Sequence, residues 1–122
     1  MFKGINVVSI TVPDLPAAKA FYSEILGLGA PTYDFPDAGW IEFSTGGPGG
    51  AISVVPASGP FQPANSTTVV LNVESCDRAV AALRGRGVRC DDPVGVPGMV
   101  TYANFYDPWG NRLQMCSAPP AA

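Results

Sequence analysis

The chain has 122 residues, 47% of them hydrophobic and 14% charged, with a formal net charge of −3. That is one domain's length with enough apolar mass for a packed core, and it argues against a disordered chain. Seven Lys and Arg in no basic run exclude a nucleic-acid or anionic-membrane surface, and no apolar run is long enough for a membrane helix.

Residues 5–12 (INVVSITV) are rich in β-branched side chains and predict a strand. Asn6, Val8, Ile10 and Val12 fall on one face, and Ile5, Val7, Ser9 and Thr11 on the other. Asp14 is placed to cap a helix with Pro16 in its first turn. Ala18, Phe21, Tyr22, Ile25 and Leu26 follow at helical spacing, and Gly27 and Gly29 supply its end. A short strand is expected within residues 31–35, and further strands at 39–45 and 51–56. The glycine-rich run 46–50 between the last two is a hairpin loop, without the strand-to-helix setting of a phosphate loop. Residues 58–66 (SGPFQPANS) read as a linker.

The pattern then restarts. Residues 67–73 (TTVVLNV) predict a strand, Ser75 a cap, 76–86 a helix ended by Gly87, 99–105 a strand, 107–111 a tight turn, and the region of Leu113 and Met115 a last strand. A shift of 61 residues carries Val12 onto Val73, Asp14 onto Ser75, Ala18 onto Ala79, Ile52 onto Leu113 and Val54 onto Met115; Phe43 meets Phe105 one residue further on. The expected organisation is α+β in one domain, 1–122: module one 1–57, linker 58–66, module two 67–118 and tail 119–122, each module strand-helix-strand-strand-strand.

Histidine is absent, so the chain holds no Ser-His-Asp triad, Cys-His pair or HExxH zinc site. Cys76, Cys90 and Cys116 show no CxxC spacing and read as reduced thiols of a cytoplasmic protein. Met1–Gly4 lead straight into a strand, so no signal peptide is expected.

The run VPDLPAAKAFYSEILGL at 12–28, the restart at Thr67 and the closing DPWGNRLQM at 107–115 resemble the vicinal oxygen chelate superfamily, which includes glyoxalase I, bleomycin resistance proteins and extradiol dioxygenases. The resemblance covers nearly the whole chain. It implies two modules whose curved mixed sheets surround a cavity, with helices on the outer face, and commonly a homodimer.

Each predicted strand has a uniformly apolar face and a mixed one. The mixed faces carry Val7, Ser9 and Thr11; Trp40, Glu42 and Ser44; Ser53 and Val55; Thr68, Val70 and Asn72; Val100, Tyr102 and Asn104; and Arg112, Gln114 and Cys116. Such a face suits a ligand cavity, a dimer interface or an ordinary wet surface. For ligand contact we single out Val7, Ser9, Trp40, Ser53, Thr68, Asn72, Tyr102, Asn104, Arg112 and Gln114. Tyr33 and Trp109 are further candidates for stacking on a flat ligand. Cys116 has no neighbouring base in the sequence and reads as an inert thiol.

Metal-using relatives take one ligand from the first and one from the last strand of each module. By this resemblance the positions are Val7, Ser53, Thr68 and Gln114, which lack imidazole, thiolate and carboxylate; no metal and no cofactor is expected. Glu42 is the acidic residue expected inside the cavity. Desolvated, it would be held protonated to higher pH and serve as general acid or base, with Arg112 as its partner or as a holder of an anionic group; a structural Glu42–Arg112 ion pair or an exposed Glu42 is the alternative. The expected function is metal-independent binding of a small, partly aromatic organic molecule. The alternatives are a metal-independent lyase, isomerase or cyclase working through Glu42 or Tyr102, and a non-catalytic interaction protein.

Overall fold

The β-branched stretch after Asn6 forms strand β1 (Val7–Val12), and Asp14 caps the helix that follows, its Oδ1 accepting from Ala17 N at 3.0 Å. These come from a computed structural model that describes residues 1–121. The chain divides into two units, Met1–Ala64 and Asn65–Ala122.

In the first unit, α1 (Leu15–Ala20) passes into a wider π turn over Phe21–Ile25, then come β2 (Tyr33–Phe35), a short 3-10 turn, β3 (Trp40–Phe43) and β4 (Ala51–Pro56). The strand order is β1-β4-β3-β2. β1 and β4 run parallel, with Val7 opposite Ala51 and Ser9 opposite Ser53; the other pairs are antiparallel. Two parallel neighbours need a crossover, and α1 lies within it. The expected uninterrupted α-helix is corrected at its second half. Leu26 N bonds Phe21 O at 2.8 Å, one residue further back than in an α-helix. Adjacent Phe21 and Tyr22 are both buried there, and the Tyr22 ring stacks on Phe43 at 6.3 Å. Gly27 and Gly29, at φ of 88° and 85°, then take left-handed conformations that a Cβ would penalise.

In the second unit, β5 (Val69–Asn72) is followed by α2 (Cys76–Gly85), β6 (Val94–Val96), β7 (Val100–Tyr106) and β8 (Arg112–Ser117), in the order β5-β8-β7-β6. Ser75 Oγ caps α2 by accepting from Arg78 N at 3.2 Å. The parallel pair repeats the first unit's register: Val70 opposite Gln114 lies 61 residues beyond Ser9 opposite Ser53. Each unit buries its helix side of the sheet. Ile10, Val12, Ile41, Phe43, Ile52 and Val54 form one core; Val80, Leu83, Ala103, Phe105, Leu113 and Met115 form the other.

The strands start and stop differently from the sequence reading where polar side chains take over. β3 ends at Phe43 because Thr45 Oγ1 bonds Gly50 O across the loop at 3.0 Å and Ser44 Oγ takes Gly46 N at 3.3 Å. β5 begins only at Val69, so Thr67 and Thr68 precede it. β6 was given no place in the sequence, being three residues, VGV, between prolines. Among the described residues no helix is long and apolar enough to cross a membrane.

Candidate functional site

The two sheets each carry a mixed open face. In the first unit the pairing places Ser9, Ser53, Glu42 and Tyr33 in one cross-strand row. The Ser9 and Ser53 hydroxyls share a 2.8 Å hydrogen bond, and Ser53 is fully buried. Val7 lies on the same face of β1, opposite Ala51. Trp40 and Glu42, two apart on β3, point to the same side, and Trp40 Nε1 donates to Glu42 Oε1 at 3.1 Å. Phe35 pairs with Trp40, and its ring stacks on Tyr33 at 6.2 Å. Tyr33 and Phe35 are 51% and 56% exposed, which makes them unusual surface aromatics beside a carboxylate.

In the second unit Asn104 and Gln114 face each other across β7 and β8, and Gln114 Nε2 donates to Asn104 Oδ1 at 2.9 Å. Asn104 Nδ2 in turn donates to Asp91 Oδ2 at 3.4 Å, and the Tyr106 hydroxyl donates to the same oxygen at 2.7 Å. A carboxylate only accepts, so Asp91 sets which end of each amide points which way. Arg112 Nη2 donates to Asn65 O at 3.1 Å and to Thr68 Oγ1 at 3.0 Å. Tyr102 lies on β7 between Val94 and Cys116, and Cys116 Sγ approaches Asn72 Oδ1 at 3.4 Å.

Glu42 and Arg112 each have a partner inside their own unit, Trp40 for one and Thr68 with Asn65 for the other. Glu42 belongs to the first unit and Tyr102 to the second, and Trp109 stands in the Asp107–Asn111 turn rather than on a strand. Asp91 and Tyr106 escaped the sequence reading. Tyr106 was legible by parity with Asn104, two residues back, had β7 been extended by one residue. Asp91 sits in a loop with no periodic signal.

The four positions that the resemblance assigns to metal ligands offer donor chemistry that does not fit a divalent metal. Val7 has no donor atom. Ser53 Oγ is buried against Ser9. Thr68 Oγ1 already holds a guanidinium, whose charge repels a cation. Gln114 offers one neutral carbonyl. Among the described residues no cluster of three or more His, Cys, Asp or Glu is placed for a metal.

A cavity of about 370 Å³ lies elsewhere in the second unit, around the start of α2, lined by Glu74, Cys76, Thr101, Ser117 and Pro120 among others. It contains none of the residues singled out from the sequence. Cys76 N bonds Ser117 Oγ at 3.2 Å and Cys76 Sγ bonds Thr101 O at 3.4 Å, so the polar groups of Cys76 in that wall are already used. Burial pushes the Cys90 thiol above its ordinary pKa and Asp91 adds to the effect, outweighing the opposing pull of Arg84.

A crossover helix on a four-stranded mixed sheet, built twice with one register, defines a paired-module α+β protein whose open sheet faces carry the polar and aromatic groups. The chain belongs to the Glyoxalase/Bleomycin resistance protein/Dioxygenase superfamily, whose sequence model matches residues 4–115. Among solved structures it is similar to TnmS3, an antibiotic binding protein from Streptomyces sp. CB03234, at 28% identity over 98% of each chain with a TM-score of 0.80. It is also similar to a glyoxalase/bleomycin resistance protein from the same organism, at 29% identity over 92% of this chain and 98% of that one, TM-score 0.74. A superfamily member from Sphaerobacter thermophilus DSM 20745 shares the fold at 22% identity over 96% of this chain and 98% of that one, TM-score 0.81. No curated protein matches the chain.

Proposed function

We propose that this protein binds a small, flat organic molecule on an open sheet face, without a metal. The observation that carries the reading is the group of Tyr33, Phe35 and Trp40 around Glu42. Two of these rings are largely exposed, and the indole N–H fixes one carboxylate oxygen. Aromatic rings give contact area at low entropic cost, and a held carboxylate favours a ligand with a donor or positive group. The likeness to an antibiotic binding protein at 28% identity supports small-molecule binding as the role. The donor chemistry at Val7, Ser53, Thr68 and Gln114 supports metal independence.

The test is quenching of Trp fluorescence by a panel of planar aromatic compounds, cationic and neutral, against wild type and Glu42→Gln. Saturable binding that weakens for cationic compounds in Glu42→Gln is the expected result. No binding to any compound sinks the reading. Turnover of a bound compound, abolished in Glu42→Gln, replaces it with the lyase, isomerase or cyclase reading. A homodimer is part of the proposal, and sedimentation equilibrium giving a monomer removes that part.

A further inference from the structure

We propose that Arg112 is an anion-recognition point, at which the open face of the second unit's sheet takes the carboxylate of a small organic ligand. The inference rests on the small-molecule-binding reading above and adds a ligand class to it.

Within the second unit no described carboxylate forms an ion pair with Arg112. Its two hydrogen bonds, both from Nη2, go to neutral oxygens, Asn65 O and Thr68 Oγ1. Among the described residues the ion pairs are Lys19 with Asp34 and Arg84 with Asp92, and neither involves Arg112. Asp91, the carboxylate of the neighbouring polar chain, is engaged by Tyr106 and Asn104. Arg112 Nε is buried and has no hydrogen-bond partner. A partly desolvated guanidinium without a counter-charge is costly unless something supplies one.

Packing of the module does not explain the residue. The register that pairs Val7 with Ala51 in the first unit, shifted by the repeat, puts Ala51 where Arg112 stands in the second. The same architectural position is therefore filled by a methyl group in one module and by a guanidinium in the other. The two bonds on Nη2 hold the side chain in place in advance, which lowers the ordering cost of binding. With Nη2 taken and Nε buried, Nη1 is the donor left for a ligand, and the guanidinium charge strengthens its hydrogen bond to a carboxylate.

The test is calorimetric titration of the full chain at low salt with benzoate, its neutral isostere benzamide, and inorganic phosphate. Benzoate is expected to bind wild type, with benzamide and phosphate each about tenfold weaker or more. Arg112→Gln should weaken benzoate by roughly 10- to 100-fold while leaving benzamide unchanged, which also reports an intact fold. Arg112→Lys, which retains charge and bulk, should fall between the two, and decides the matter if Arg112→Gln does not fold. Benzoate binding as tightly to Arg112→Gln or Arg112→Lys as to wild type overturns the proposal. So does benzamide or phosphate binding as well as benzoate. If neutral planar compounds bind but benzoate gains nothing over benzamide, the Arg112 assignment alone fails. If no compound of either panel binds, the small-molecule reading fails with it.

Discussion

Gln114 Nε2 donates to Asn104 Oδ1 at 2.9 Å, and the chain of bonds ends on Asp91. The order matters because each amide has one accepting and one donating end. With Asp91 accepting from Asn104 Nδ2, Asn104 turns Oδ1 to Gln114, and Gln114 must present Nε2. Its carbonyl Oε1 is then left as an acceptor on the open face. A single loop carboxylate thus decides the polarity of a group two strands away.

Asp91→Asn should undo this. The new amide can offer a donor to Asn104, and both amides lose their fixed sense. Because Asp91 is exposed, the stability loss should be at most about 1 kcal/mol in urea unfolding. The diagnostic reading is side-chain amide NMR: the Asn104 and Gln114 NH₂ signals should lose their distinct shifts. Unchanged signals would show that Asp91 does not orient them.

Asp107 anchors the turn before β8. Its Oδ1 accepts from Trp109 N at 3.1 Å and Asn111 N at 2.9 Å, and its Oδ2 accepts from Asn111 Nδ2 at 2.7 Å, with both side chains buried. Asp107→Ala removes three hydrogen bonds from this turn and should cost about 3 kcal/mol or more in urea unfolding. A loss below about 1 kcal/mol would mean the turn is held by the chain alone.

Phe105 and its repeat counterpart Phe43 are almost fully buried in their respective units. Phe105→Ala and Phe43→Ala should each cost about 3–5 kcal/mol through lost burial and the cavity left behind. Chemical denaturation with circular dichroism measures both.

The Cys90 thiol, raised by burial, gives a pH signature. Below the ordinary thiol pKa of about 8.5 both folded and unfolded chains hold the proton, and the contribution is fully present. Above it the unfolded chain releases the proton first, so this part of the stability is lost as pH rises through the folded value. Cys90→Ser should flatten the fall in stability at pH above the ordinary thiol pKa. Alkylation of Cys90 by iodoacetamide, followed by mass spectrometry, should show its rate rising at higher pH than for a free cysteine.

Ni²⁺, Zn²⁺ and Fe²⁺ added in turn should leave the melting temperature of the protein unchanged. Binding to the native state alone must raise it, so a clear rise that disappears on substitution of Gln114 or Ser53 would overturn the donor-set argument.

The repeat, the two helix caps and the apolar faces were all legible in the sequence. They are local signals: strand alternation, helical spacing, and an Asp or Ser ahead of each helix. The shift of 61 residues that aligned the helices also predicted the strand register, because a slip of one residue would turn a core face outward. The π turn at Phe21 and the late start of β5 had no local mark. They arise where burial of neighbouring aromatics or the reach of a partner strand outweighs propensity.

The sequence by itself therefore determined that this is a two-module α+β chain, and that no imidazole, thiolate or carboxylate stands at Val7, Ser53, Thr68 or Gln114. Both follow from side-chain chemistry and period. Only the tertiary structure decided which polar groups use each other up. Glu42 goes to Trp40, Gln114 to Asn104, and Arg112 to Thr68 and Asn65. Arg112 and Thr68 are brought together by long-range strand pairing, across 44 positions of sequence. Partners that far apart are set by how the sheet is assembled, and no local pattern reports them.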